Sequence, residues 1–151
     1  MPDLYFTMAT PNPAGKDRTP AHQVTNAQLN GEWVEFQNTT QKNLSLDDVH
    51  LDHNTYDAYC RKTGEAKLVT FKGSLANGKS IRVHTGRGEG RWEGDLYHFY
   101  AGHGNFVWNN RCGDTAHLRT GTNGTIDWAS YDPIPGEGAM LRRIQNTNKL
   151  A

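Results

Sequence analysis

A chain of 151 residues can bury a core of its own and is read most simply as one domain. Lys plus Arg equal Asp plus Glu at 16 each, so the formal net charge is zero and bulk charge does not favour binding to a polyanion. No apolar run approaches the length of a membrane span, and the N-terminus lacks the apolar core of a signal peptide. The protein is therefore expected to be cytoplasmic if Met1 is native, and secreted if a signal peptide has been removed.

Sixteen glycines, with many Asn, Asp and Thr residues, punctuate the chain at short intervals. That texture belongs to all-β proteins with many turns. The first strand is predicted in LYFTMA, Leu4 to Ala9, and stops where prolines and a glycine forbid regular structure. Residues 11–30 read as a long, polar, mobile loop. In GEWVEFQN, Val34 and Phe36 alternate with polar neighbours, the period-two signature of a half-buried strand. NLSLDDVHLDH changes phase between its two apolar pairs, which predicts a bulge or turn at Asp47 and Asp48.

AKLVTFKG and KSIRVHTG follow, with a turn expected at Asn77-Gly78. Ile81 and Val83 should face the core, with Arg82 and His84 outward. TGRGEGRWEGD reads as a glycine-rich surface loop. FVWNN, DTAHLRT and GTIDWASY complete the strand series, the last two as a hairpin with Ala116 and Leu118 inward and Thr115, His117 and Arg119 outward. No amphipathic helix of three or more turns is expected. The result is an all-β antiparallel sandwich with Trp108, Val34, Phe36, Ile81, Val83, Leu118 and Trp128 in much of its core. Residues 1–135 form the predicted domain, and 136–151 a C-terminal tail that frays at its end.

GEWVEFQNTTQKNLSL, KSIRVHTGRG and FVWNNRCGDTAHLRTGTNGTIDWASY, in that order, resemble the lamin tail domain and specifically its bacterial copies. The resemblance spans roughly Leu4 to Tyr131. It implies an immunoglobulin-like β-sandwich, in agreement with the strand pattern, and a non-catalytic recognition or scaffolding role facing a protein or cell-surface partner. Two departures stand out. DDVHL replaces a strand that commonly carries Trp, and DHNTYDAYCRKTGE (53–65 in the main) reads as a polar insertion. Neither cysteine belongs to the family pattern, so the resemblance assigns them no role.

Cys112, Asp114 and His117 together carry the inventory of a nucleophilic site. On an extended chain His117 lies roughly 16 Å beyond Cys112, too far for a dyad. Gly113-Asp114 is better read as a turn whose carboxylate bonds backbone N–H groups, with Asn109 and Asn110 capping strand ends. No catalytic residue is assigned. Cys60 and Cys112 permit a disulfide, closing a loop of about 50 residues worth about 4 kcal/mol and pointing to an oxidising compartment, or stand as two unrelated thiols. His50, Asp52 and His53, with Asp57, His98 and His103, are weak metal candidates, because no helical pair or Cys-x-x-Cys unit joins them. No metal or cofactor is assigned.

HTGRGEGRWEG contains G-x-G-x-G but leads into no helix, so it is not a phosphate loop. Arg82, His84, Arg87, Arg91, Trp92, Tyr97 and Tyr100 gather in or beside it, and Arg, Trp and Tyr are the usual anchors of recognition surfaces. The Thr85–His103 segment is therefore the predicted interface, with a protein as the expected partner. Two alternatives remain. One is a nucleic-acid-binding domain using Arg82, Arg87, Arg91 and Arg119; the other is a metal-dependent hydrolase built on the His/Asp cluster.

Overall fold

The computed structural model describes residues 1–14, 24–121 and 124–151. Strand β1 (Leu4–Thr10) is followed by helix α1 (Asn26–Gly31), β2 (Trp33–Asn38), β3 (Leu44–Ser45), β4 (Val49–Tyr56) and β5 (Lys62–Thr70). Then come β6 (Ser74–Leu75), β7 (Ser80–His84), β8 (Arg91–Glu93), β9 (Leu96–Tyr100), β10 (Asp114–Thr120), β11 (Gly124–Tyr131) and β12 (Leu141–Arg142). They build a six-stranded sheet, β12-β1-β2-β7-β9-β8, a four-stranded sheet, β11-β10-β4-β5, and a small β3–β6 ribbon. Side chains from both large sheets meet in one core, giving the predicted immunoglobulin-like sandwich. Between the described strands one pairing departs from the antiparallel pattern: β7 and β9 run parallel, because segment 85–95 carries the chain back across the sheet instead of turning.

The alternation read from the sequence sets the core. Phe6, Val34, Phe36, Ile81, Val83 and Leu118 are all buried, and Phe6, Phe36, Phe71 and Phe99 form a file of edge-to-face rings 5.3–6.3 Å apart. The turn at Asp47 and Asp48 is present, with Val49 N–H bonded to the Leu46 carbonyl and Asp48 at φ 65°. Residues 53–65, read as an insertion, extend β4 and β5 into a hairpin whose tip is tied by Asp57 to the N–H groups of Tyr59 and Arg61.

Several expectations are corrected. FVWNN is not a strand, although Trp108 is buried: the Val107 and Trp108 N–H groups bond the Glu32 carboxylate at 2.8 and 3.2 Å rather than a neighbouring strand. Trp128 is 43% exposed. Pairing places Ala129 and Tyr131 on the core face of β11 with Asp127, so Trp128 takes the outer face opposite His117. Asp127 tolerates burial because it accepts from Phe6 N–H (2.8 Å) and pairs with Arg143 (3.0 Å). The end of the loop predicted over 11–30 is helical, since Thr25 and Gln28 form a reciprocal capping box; residues 15–23 lie outside the described residues. The C-terminus is not frayed. Arg143 reaches under β1, β12 pairs with β1, and Leu150 is 2% exposed in the core.

Candidate recognition site at the β8–β9 flank

Register across β7, β9 and β8 sorts this edge of the large sheet into two rows. Ile81, Tyr97 and Trp92 stand in line on the core face, and Arg82, His98 and Arg91 on the outer face. The core-face row starts buried at Ile81 and ends at Trp92, which is 53% exposed and packs edge-to-face on Tyr97 with centroids 5.1 Å apart. Beside it the sandwich stays open. A cavity of about 280 Å3 lies between this row and the 71–75 segment, walled by Leu46, Phe71, Leu75, Ile81, Tyr97 and Phe99, with Lys72 and Trp92 at its rim.

Two glycines of the segment are required by the two tyrosines. A Cβ on Gly90 would come within 2.0 Å of the Tyr97 hydroxyl, and one on Gly88 within 2.7 Å of the Tyr100 ring. Asn26 and Asn30 of α1 hold this segment from behind: both donate to the Arg87 carbonyl, and Asn26 also accepts from its N–H. Glu32, fully buried, joins the same framework by accepting from Thr85 at 2.7 Å.

The outer-face row holds a relay. His84 Nδ1 meets the Asn30 carbonyl at 2.8 Å, His84 Nε2 meets His98 Nδ1 at 2.8 Å, and His98 Nε2 meets Glu93 Oε1 at 2.9 Å. Both ends of this chain are acceptors, so three bonds require three N–H groups, while two neutral rings carry only two. Burial holds His84 down to about 4, with its bond to Asn30 opposing and the His98, Arg82 and Arg91 charges adding to the drop. The hydrogen bond and charge of His98 keep the Glu93 carboxyl below the usual range.

A depressed histidine stabilises the fold above its ordinary value near 6.5 and loses that contribution as pH falls through about 4. Asp114 runs the other way: burial raises its carboxyl to about 6, so its contribution is present at low pH and is lost as pH rises through that value. Between pH 4 and 6 the two slopes oppose. His84→Gln should remove one of them, while His117, also held low by burial, keeps its own, so that from pH 4 to 6 the denaturant midpoint of the variant falls relative to that of the wild type. Parallel pH profiles for the two proteins would contradict the depression of His84 by burial.

The seven predicted binding residues divide. Arg87, Arg91 and Trp92 are exposed, and Tyr97 and Tyr100 are half-buried under the glycines. Arg82 is engaged internally, 2.9 Å from Glu35 and 3.8 Å over the Trp33 ring. His84 faces outward as expected but is 8% exposed, stacked between His98 and Tyr100. His117, also expected outward, is likewise 8% exposed and bonds Asn54. Arg119 lies on the four-stranded sheet, paired with Glu65 at 2.8 Å, so the four arginines of the nucleic-acid alternative do not form one patch. His50 and Asp52 bond each other at 2.7 Å, whereas His53 turns inward against Trp108. Among the described residues no three His, Cys, Asp or Glu side chains come together as a metal site needs.

Cys60 and Cys112 are joined by a disulfide linking the β4–β5 hairpin tip to the loop before β10, so Cys112 has no thiol to ionise. The loop is fixed by Gly113, at φ 70° and with no room for a Cβ beside the Tyr131 carbonyl. Asp114 accepts from the N–H groups of Asn54, Asn109 and Thr115, the turn role expected of it. Sequence reasoning missed Lys72, Glu93 and Glu32. Only Glu32, at the head of the EWVEF strand, left a signal, as a charged residue adjoining an apolar run.

The Lamin Tail Domain family model matches residues 2–133, which include Glu32 and the Gly113-Asp114 turn. The chain belongs to the lamin tail domain family. No curated protein matches it. In this lamin tail domain, β12, Arg143 and Leu150 lie beyond the matched span yet complete the sandwich.

Proposed function

We propose that this lamin tail domain is a non-catalytic recognition module that captures a protein partner, soluble or displayed at a cell surface, at the β8–β9 flank. The observation that carries this reading is the exposed end of the Ile81–Tyr97–Trp92 row beside an open apolar cavity. Aromatic and arginine side chains are the usual make-up of an interface centre, and Trp92 and Arg91 stand exposed on the two faces of β8. Membership of a family of immunoglobulin-like, non-catalytic modules supports the same reading. Crosslinking in the native host with wild-type protein and with Trp92→Ala and Arg91→Ala tests it. Both side chains are exposed, so the melting temperature should hold, while capture falls by about tenfold or more for Trp92→Ala. Undiminished capture by both variants would remove the flank from consideration.

A further inference from the structure

We infer that the flank takes an extended acidic peptide, which lies along β8, inserts one aromatic or leucine-sized side chain beside Trp92 and sets a carboxylate against Lys72. This rests on the recognition reading above and names its partner's chemistry.

Three observations converge. First, the large sheet ends at β8, and among the described residues no strand pairs with its outer side. All three residues of β8 are exposed, so its outer backbone edge is open to a guest strand. The strand is short and charged at Arg91 and Glu93, which limits indiscriminate edge pairing and makes the side-chain pocket decisive.

Second, the cavity opens at that same edge. Its volume of about 280 Å3 exceeds the roughly 150 Å3 that accommodates benzene, so one large side chain fits with room for its backbone to pass. Trp92 belongs both to the edge strand and to the rim, so a peptide lying along β8 passes the pocket mouth. A period of two along such a peptide would direct one side chain into the pocket and its neighbours away.

Third, the charge left over is positive. The nearby anions are engaged: Glu93 with His98, Asp95 with Lys79, Glu35 with Arg82 and Asp47 with the Gly73 N–H. Lys72, Arg91 and Arg87 are exposed and their side chains form no ion pair or hydrogen bond among the described residues; Glu89 is the one anion of the 85–95 segment left to offset them. Lys72 stands at the rim of an apolar cavity, where water is partly displaced and a carboxylate gains most from a cation.

The test is a chemical-shift titration of the 15N-labelled full chain with three acetylated, amidated pentapeptides: Asp-Thr-Phe-Thr-Asp, Lys-Thr-Phe-Thr-Lys and Asp-Thr-Ser-Thr-Asp. The first should shift the amides of residues 72, 75, 92 and 97 and slow hydrogen exchange along β8. The second and third should bind at least about fivefold more weakly. Lys72→Glu, an exposed change whose fold the same spectra report, should reverse the order of the first two peptides. Equal binding of acidic and basic peptides, or no reversal in Lys72→Glu, overturns the proposal. So do shifts at Trp92 with phenylacetate alone that match the peptide's, which would assign a small carboxylate. Concentration-dependent shifts without peptide, which would assign a second copy of the chain, overturn it as well. Should the peptides fail while Trp92→Ala still abolishes partner capture, recognition at the flank stands and only the acidic-peptide chemistry falls.

Discussion

Asp127→Ala is expected to lower the unfolding free energy by about 4 kcal/mol, seen as a melting temperature lower by about 12 °C. Asp127 and Arg143 are both almost fully buried, and their contact at 3.0 Å is supported by the Phe6 N–H and carbonyl, which bond Asp127 and Arg143 respectively. Removing the carboxylate leaves a guanidinium with the Phe6 and Thr147 carbonyls and the Tyr5 ring as its remaining partners but no counter-charge, and desolvated charge is costly when unpaired. The cost belongs to the orphaned charge more than to the lost attraction. Asp127→Ala combined with Arg143→Met should therefore recover much of the loss. A double variant as unstable as the sum of the two singles would show the residues to be independent, against the geometry.

The second large effect concerns the cross-link. Cys60 and Cys112 are 52 positions apart, and opening that loop should cost about 4 kcal/mol on the chain-entropy account. Denaturant curves of the Cys60→Ala/Cys112→Ala chain, set against the oxidised wild type, measure it directly. The change should appear in the midpoint, and the slope should also fall for the oxidised chain if its unfolded state is more compact. An intact mass showing two free thiols in protein purified without reductant would sink the premise.

Most of the sandwich was legible because period-two burial is a local property. Leu4 and Phe6, Val34 and Phe36, Ile81 and Val83, and Ala116 and Leu118 each declare their face within a few residues. What escaped was decided by partners far away in sequence. Trp128 reads as core by itself and is displaced to the outer face because Asp127 has a counter-charge from Arg143, in a segment with no period of its own. FVWNN reads as a strand, yet its N–H groups are claimed by Glu32, about 75 residues earlier. The candidate site was legible as a composition, in the gathering of Arg, Trp and Tyr. Its working parts were not. Lys72 comes from another segment, and the demotion of Arg82 and His84 to internal roles depends on Glu35, Trp33 and Asn30.

The strand that closes the large sheet also sets an order of events during synthesis. Met8 pairs with Arg142, and the core stays open at one end until Leu150 is seated. A ribosome adding residues one at a time exposes β1 long before its outer partner exists. During that interval the Met8–Ala9 edge and the Asp127 carboxylate stand unprotected in an otherwise assembled sandwich. Residues 141–150 are the last parts of the sandwich to be made, and they convert it to its final form. A nascent chain stalled before residue 141 should accordingly be a far better chaperone client than one that includes residues 141–150.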